Sequence, residues 1–391
     1  MTVAGGDGVV RPEVRTGVFF FCQFLSVGVA NGFGGIWFAS QGLSVEQIGI
    51  INAVPLLTML IITLFVGQLA DRAPDWRTVI VAGAIASAVF PIGLFFADGF
   101  WPILFFWAAS VVAQTAIIPV ADAAAIRLSR RRGFDYGAIR GYGTLGYLIV
   151  IVVSGYLVLW FGIAMFLPLF VGLAMLRGLA ALWLPRFRAP PGEPGVNMGA
   201  RRLREVMQPW FVLPLIGFAL LHSAHFILNA FQGLLFREQG IGAETIGWLI
   251  AVGAMAETMM FFTFRRFANR FTARNLLLIA AAAGIVRWTA MAFSPGVPLL
   301  FGLQLLHSLT YALGFLGVMN FIANWTSEDI AAETQGFATV LQEAAAVLAF
   351  LGFGWLAGTF GARAYLAPAG IAFLGGFLVW LSLRMQTPKS A

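Results

Sequence analysis

The chain has 391 residues, of which 60% are hydrophobic and only 10% charged, with a mean hydropathy of +0.88, whereas a soluble domain is about 25% charged because its surface faces water. Lipid is therefore the solvent, and at roughly 20 apolar residues per crossing the length holds about twelve helices with short loops and no large soluble domain. The net charge of +7 raises a nucleic-acid partner, which the loop placement of the basic residues removes, and the lone Cys22 removes disulfides and cysteine-based zinc sites.

Residues 1–15 form an N-terminal tail with Arg11 and Arg15 but no apolar core followed by a small-residue cleavage site, so no removable signal peptide is expected. Apolar runs then fall at about 16–40, 46–70, 77–97, 101–127, 137–160 and 163–184, a first half spanning 16–184. Residues 185–208, with Pro185, Pro190, Pro191 and Pro194, form a polar, helix-breaking linker. Six more runs follow, at about 209–237, 244–268, 272–294, 297–325, 331–358 and 362–385, so the second half covers 209–385 and a short tail 386–391 closes the chain.

Cytoplasmic loops retain lysine and arginine. Arg72, Arg77, Arg127, Arg130, Arg131, Arg132, Arg201, Arg202, Arg270, Arg274 and Arg384 fall on one side, against Arg237 and Arg363 on the other. Both termini and the linker are expected in the cytoplasm of a multi-pass inner-membrane protein. The halves also repeat each other: Gln41-Gly42-Leu43 through Glu46, Ile48 and Gly49 recurs from Gln239 through Glu244, Ile246 and Gly247, a constant offset of 198 residues that also pairs Asn31 with Asn229 and Arg72 with Arg270. An even number of helices per copy keeps both copies in one orientation about an axis along the membrane normal. The expected fold is all-α, with twelve transmembrane helices in two pseudo-symmetric six-helix halves.

An ionisable group inside a span is costly unless paired or wet, so each is a functional candidate. These are Asp122, Arg140 and Arg177 in the first half, and Glu257, Arg287, His307 and Glu343 in the second. Glu257 and Arg287 sit on neighbouring spans, and their repeat partners Met59 and Val89 are uncharged, so the shared scaffold does not require them. A carboxylate that can exchange a cationic neighbour for a proton is what proton coupling needs; a static ion pair that fixes helix packing is the other reading. His307 shares a helical face with Gln304 and Tyr311, and lies within about one turn of Arg287 in depth, so the two can meet; a histidine that serves packing alone is the alternative. The seventh span carries His222, His225, Asn229 and Gln232 as one polar stripe. No acid or cysteine joins the two histidines, so no metal site is expected. Gly141-x-Gly143-x-x-Gly146 fits a dinucleotide pattern but opens a membrane span with no βαβ context, and is read as helix contact.

The loop Gly67-Gln68-Leu69-Ala70-Asp71-Arg72, ending at Arg77, resembles the signature loop of the major facilitator superfamily. The resemblance implies that fold, and implies a gating role for Gly67, Asp71, Arg72 and Arg77. The frame Ser129-Arg130-Arg131, Phe134-Asp135-Tyr136-Gly137, Arg140 is similar to that of the lactose-permease-type oligosaccharide:proton symporters. By that likeness Asp122 and Arg140 are solute-binding residues, Tyr147 offers a stacking face, and Glu257, Arg287 and His307 fall on the proton-coupling acid, arginine and histidine. Thr310 stands where that family has its proton-carrying acid, leaving Glu343 or Glu257 to substitute. Ala256-Glu257, Ala273-Arg274-Asn275-Leu276-Leu277-Leu278, Val286-Arg287-Trp288 and Leu306-His307 resemble the phenylpropionate permease group, where His225 also has a counterpart.

The expectation is a monomeric, proton-coupled symporter that imports a small organic solute, an aromatic acid such as a phenylpropionate or a sugar, by alternating access. His225, Asn229 and Asn31 join the solute contacts; Glu257, Arg287, His307 and Glu343 carry the proton. The energy source is the proton gradient, with no cofactor, and the partners are solute, proton and lipid bilayer, with no nucleic acid. A proton-driven exporter and a non-transporting receptor are the alternatives. An enzyme would need a nucleophile beside a base, or a metal set, within the bilayer, and the sequence offers neither.

Overall fold

The computed structural model describes residues 11–187, 207–266, 270–326 and 328–385. Residues 1–10, most of the expected linker 185–208 and the expected tail 386–391 lie outside the described residues, as do the side chains at 63, 64, 67, 68, 70, 71, 265 and 328–333. Gly67 and Asp71 of the signature loop are among these. All regular elements among the described residues are helical: α1 (Pro12–Ser40), α2 (Val45–Arg72), α3 (Trp76–Phe95), α4 (Phe100–Arg132), α5 (Tyr136–Phe161), α6 (Ile163–Leu182), α7 (Pro209–Glu238), α8 (Ala243–Thr263), α9 (Ala273–Ala292), α10 (Val297–Trp325), α11 (Glu328–Phe360) and α12 (Leu366–Leu383).

Eleven stretches are apolar and long enough to cross a membrane, the last being Thr334–Leu383 with 50 residues. At about 1.5 Å per residue that stretch is more than twice the roughly 30 Å hydrocarbon core. It is broken by a 3-10 turn at Gly361–Tyr365, with Gly361 at φ +55, and the two pieces are α11 and α12, giving twelve helices among the described residues. The repeat is visible in the backbone: Gly42 and Gly240, which pair across the offset, both turn the chain with φ +77 and +80, a conformation glycine adopts without steric cost. After the first of these turns Ser44 and Gln47 cap α2 reciprocally, through Ser44 N–H to Gln47 Oε1 at 2.9 Å and Gln47 N–H to Ser44 Oγ at 3.3 Å. Large apolar side chains such as Phe65, Trp101, Trp160 and Phe262 are exposed, which suits helices solvated by lipid whose backbone groups are satisfied internally.

Packing divides the chain into two compact units. Among the described residues the first holds 11–30, 61–150 and 164–187 around a core that includes Ile80, Ala124, Leu128 and Phe187. The second holds those of 31–60, 151–163 and 207–385, with Phe211, Leu215, Leu277 and Phe321 in its core. The expected halves, 16–184 and 209–385, therefore differ from the packing units at the arginine-poor ends of α1, α2 and α5. The reason lies in glycines that let backbones approach closely. Within the second unit a Cβ on Gly35 would stand 2.5 Å from Ala230 O, on Gly49 2.6 Å from Phe350 O, on Gly155 2.7 Å from Ala243 O, and on Gly247 2.7 Å from Ile151 O.

Candidate functional site

In the second unit α7, α8, α9 and α10 bring a buried polar network together. Its centre is Arg287 on α9, 0% exposed. Its Nη2 donates to Gln304 Oε1 at 2.7 Å, and its Nη1 donates to Thr310 Oγ1 at 3.1 Å and to His307 Nδ1 at 3.0 Å. On the other edge of the same imidazole, His307 Nε2 lies 3.2 Å from Glu257 Oε2 on α8. A guanidinium can only donate, so His307 Nδ1 must be the bare nitrogen and Nε2 carries the hydrogen that points at the carboxylate. His307 is thus a neutral bridge between a buried cation and a carboxylate that do not touch each other.

Leu221 O can only accept, so His225 Nδ1, 3.1 Å away, bears its hydrogen, and His225 Nε2 accepts from the Thr310 hydroxyl at 3.0 Å. Gln304 Nε2 donates to Gln232 Oε1 at 3.3 Å. These donors run outward from the Arg287 terminal nitrogens, and such a polar network favours one geometry. What places His307 and Thr310 is a π turn at Ser308–Leu313 inside α10, a wider turn that occurs mostly at functional sites. Tyr311 within it stacks on His307, with centroids 5.4 Å apart and planes within 2°.

The polar stripe of α7 splits along its edges. His225 and Gln232 are buried in the network, while Asn229 is exposed and His222 half-buried. His222 packs against Phe226 and Tyr311 at centroid distances of 5.2 and 5.3 Å. Asn31 is half-buried on α1. Glu343 is half-buried on α11 and makes no ion pair or hydrogen bond among the described residues, so the geometry leaves it apart from Glu257, His307 and Arg287.

In the first unit Asp122 on α4 meets Tyr136 and Arg140 on α5. Tyr136 OH donates to Asp122 Oδ1 at 2.7 Å, and Arg140 Nε lies 3.5 Å from the same oxygen. The Arg140 guanidinium rests on the rings of Phe24 at 4.4 Å and Phe20 at 5.8 Å, a cation–π arrangement. About a third of the Arg140 side chain is exposed. Gly143 makes room for this stack, since a Cβ there would stand 2.7 Å from the Phe24 ring; Gly146 likewise faces Phe21 O at 2.6 Å. Tyr147 is half-buried, its ring 3.4 Å from the place a Cβ on Gly28 would take.

Two arginines make contacts that the sequence alone did not give. Arg177, a functional candidate by its place inside a span, is 0% exposed and held by Ser26 Oγ at 2.7 Å, Ser87 Oγ at 2.8 Å and Ser87 O at 3.2 Å. Hydropathy locates a charge in depth but not around the helix, and here it faces α1 and α3. Arg77, expected in the gating loop, donates to Leu182 O, while Arg15 donates to Leu184 O at 3.1 Å. Both satisfy carbonyls that the end of α6 leaves open. Asp75, which the sequence reading passed over, fixes the same corner, accepting from Arg77 N at 2.9 Å and Phe187 N at 2.8 Å. Arg72 is exposed.

Sequence reasoning also missed Tyr136, whose position four residues before Arg140 placed it on the same face, and the roles of Gln304, Thr310 and Gln232, for which the π turn gives no sequence signal.

Similarity to known proteins agrees with this architecture. The family model described as MFS_1 like matches residues 14–367. The chain is 27% identical over 320 residues to the probable 3-phenylpropionic acid transporter of Escherichia coli K12, covering 78% of this chain and 80% of that one. It is 29% identical over 283 residues to the maltose permease of Geobacillus stearothermophilus, covering 71% and 70%. Among solved structures, the nucleoside transporter NupG (D323A mutant) superposes with a TM-score of 0.85 at 16% identity over 95% of this chain and all of that one, and a D-xylose-proton symporter with a TM-score of 0.70 at 14% identity over 94% and 96%. At these identities the structural likeness shows the fold alone.

Proposed function

Because the chain belongs to the MFS_1 like family of the major facilitator superfamily, we propose that this multi-pass carrier of small solutes, which is no enzyme, is a proton-coupled symporter working by alternating access. The observation that carries the reading is the imidazole of His307 between Arg287 Nη1 and Glu257 Oε2. A proton added to this bridge cannot leave it as it is. If His307 Nδ1 takes it, that nitrogen no longer accepts from Arg287; if Glu257 takes it, the carboxylate that balances Arg287 through the ring is lost. Proton binding thus reorganises a buried network linking α7, α8, α9 and α10, which is what coupling to a helix rearrangement requires.

The solute reading rests on the first unit. The terminal nitrogens of Arg140 offer a fork to a carboxylate or paired hydroxyls, and Asp122, Tyr136 and the Phe20 and Phe24 rings surround it. The relatives named for 3-phenylpropionic acid and maltose favour an aromatic acid or a sugar, with Tyr147 as a further contact in the same unit. The arginine asymmetry favours the inner membrane with both termini in the cytoplasm. In vesicles energised by a pH gradient, Glu257→Gln is expected to abolish accumulation yet retain solute exchange; accumulation at the wild-type level would end the proposal.

A further inference from the structure

When His307 Nδ1 gains a proton, Arg287 loses an acceptor in a buried place, and Thr310 and Gln304 already hold its other contacts. A guanidinium so placed needs a second acceptor, because an unmatched buried donor costs about 1–3 kcal/mol or more. One buried side chain in the second unit has an oxygen free for this. Tyr365 ends the 3-10 turn between α11 and α12, is 0% exposed, and its hydroxyl has no hydrogen-bond partner among the described residues. Arg287 Nε is in the same position, buried and unmatched. Both side chains adjoin the Trp288 ring. The Tyr365 ring stacks on Trp288 with centroids 6.0 Å apart and planes within 10°, and the Arg287 guanidinium lies 5.0 Å from the Trp288 ring. The Tyr365 hydroxyl feels the charges of both Arg287 and Glu238, the latter at the end of α7. Packing alone gives no reason for this oxygen, since phenylalanine would fill the same space without burying an unmatched polar group.

We propose that Tyr365 is the second seat of Arg287: on protonation of the Glu257–His307 pair, the guanidinium leaves His307 Nδ1 and donates to the Tyr365 hydroxyl. The proton ends on His307 Nδ1, Arg287 keeps all of its hydrogens, Tyr365 stays neutral, and one hydrogen bond replaces another. Glu238 favours the second seat by its charge. Glu257 balances the site in the first seat; His225, which faces Thr310 and His307, keeps its bonds in both, and His222 and Tyr311, the other titratable groups packed there, stay neutral. Tyr365 is a positioning residue that acts through Arg287. The inference rests on the proton-coupling reading of His307, Glu257 and Arg287.

The chain has three histidines, so nitrogen-15 histidine spectra of the purified protein follow His307 directly, with His222→Gln and His225→Gln to assign the other two. In Tyr365→Phe the proton concentration needed to protonate His307 is expected to rise about tenfold, the equivalent of one hydrogen bond to a charged group, with no fall in melting temperature. Glu238→Gln, at the helix end, is expected to move it in the same direction by less, and decides the matter should Tyr365→Phe not fold. In a His307→Gln background, Tyr365→Phe is expected to leave solute exchange as it was. Unchanged His307 protonation in the folded variants, or a further loss in the His307→Gln background, overturns the second seat. Because these spectra need neither solute nor transport, they separate this inference from the symport reading, which fails if the wild type moves solute without protons.

Discussion

Replacing Arg287 by methionine tests whether the buried cation and Glu257 are connected through His307. The change removes donors to Gln304, Thr310 and His307 and leaves Glu257 without its balancing charge. Stranding one member of a buried pair costs about 3–5 kcal/mol. Arg287 is fully buried but the Glu257 side chain is 26% exposed, so residual hydration of the carboxylate places the expected loss near the lower end, about 3 kcal/mol. Glu257→Gln keeps an acceptor for His307 Nε2–H and removes only the charge, for an expected loss of about 1–2 kcal/mol. The double variant carries neither charge, and is expected to be about 2 kcal/mol more stable than the sum of the single losses. Unfolding in mixed micelles, followed by tryptophan fluorescence, gives the four free energies of the cycle. Losses that add within about 0.5 kcal/mol would mean that His307 does not link the two charges, and would refute the bridge.

Other expectations follow from the first unit and from the glycines. Asp122→Asn and Arg140→Lys are each expected to weaken solute binding about tenfold, since a lysine cannot reproduce the guanidinium fork and a neutral amide no longer orients it; uptake kinetics with normal membrane expression decide this, and an unchanged KM would remove these residues from the solute site. Arg177→Met is expected to leave KM unchanged and melting temperature equal or higher, because no carboxylate balances that cation among the described residues and an apolar side chain of similar size avoids its desolvation; a raised KM would return Arg177 to the solute contacts. Gly247→Val is expected to lower stability by more than about 1 kcal/mol, measured as melting temperature, since its Cβ would stand 2.7 Å from Ile151 O; a neutral result would mean that the helices have room to part.

Much of the fold is written in hydropathy and repetition. Apolar runs and the 198-residue offset located the helices, and Gly42 and Gly240 take nearly the same φ because both copies need the same turn. The linker boundary was less informative about packing, because close backbone contacts at Gly35, Gly49, Gly155 and Gly247 draw 31–60 and 151–163 into the second unit, and a glycine does not announce in sequence which helix it will meet. At the candidate site, helix geometry alone sufficed to bring Arg287 near His307. It could not give the order of the bridge, with His307 standing between Arg287 and Glu257, because the π turn at Ser308–Leu313 sets that order and has no apolar period of its own. Arg177 shows the complementary limit: the serines that hold it, Ser26 and Ser87, come from two other helices and are distant in sequence.

The most direct test of proton coupling through Glu257, His307 and Arg287 is proton movement driven by solute alone. In proteoliposomes with an internal pH dye and no imposed pH gradient, an inward gradient of a transported solute, with 3-phenylpropionate and maltose as first probes, is expected to acidify the lumen in the wild type. Glu257→Gln is expected to leave the lumen pH unchanged while solute still crosses. Solute entry in the wild type without acidification, or acidification that survives Glu257→Gln, would contradict the account.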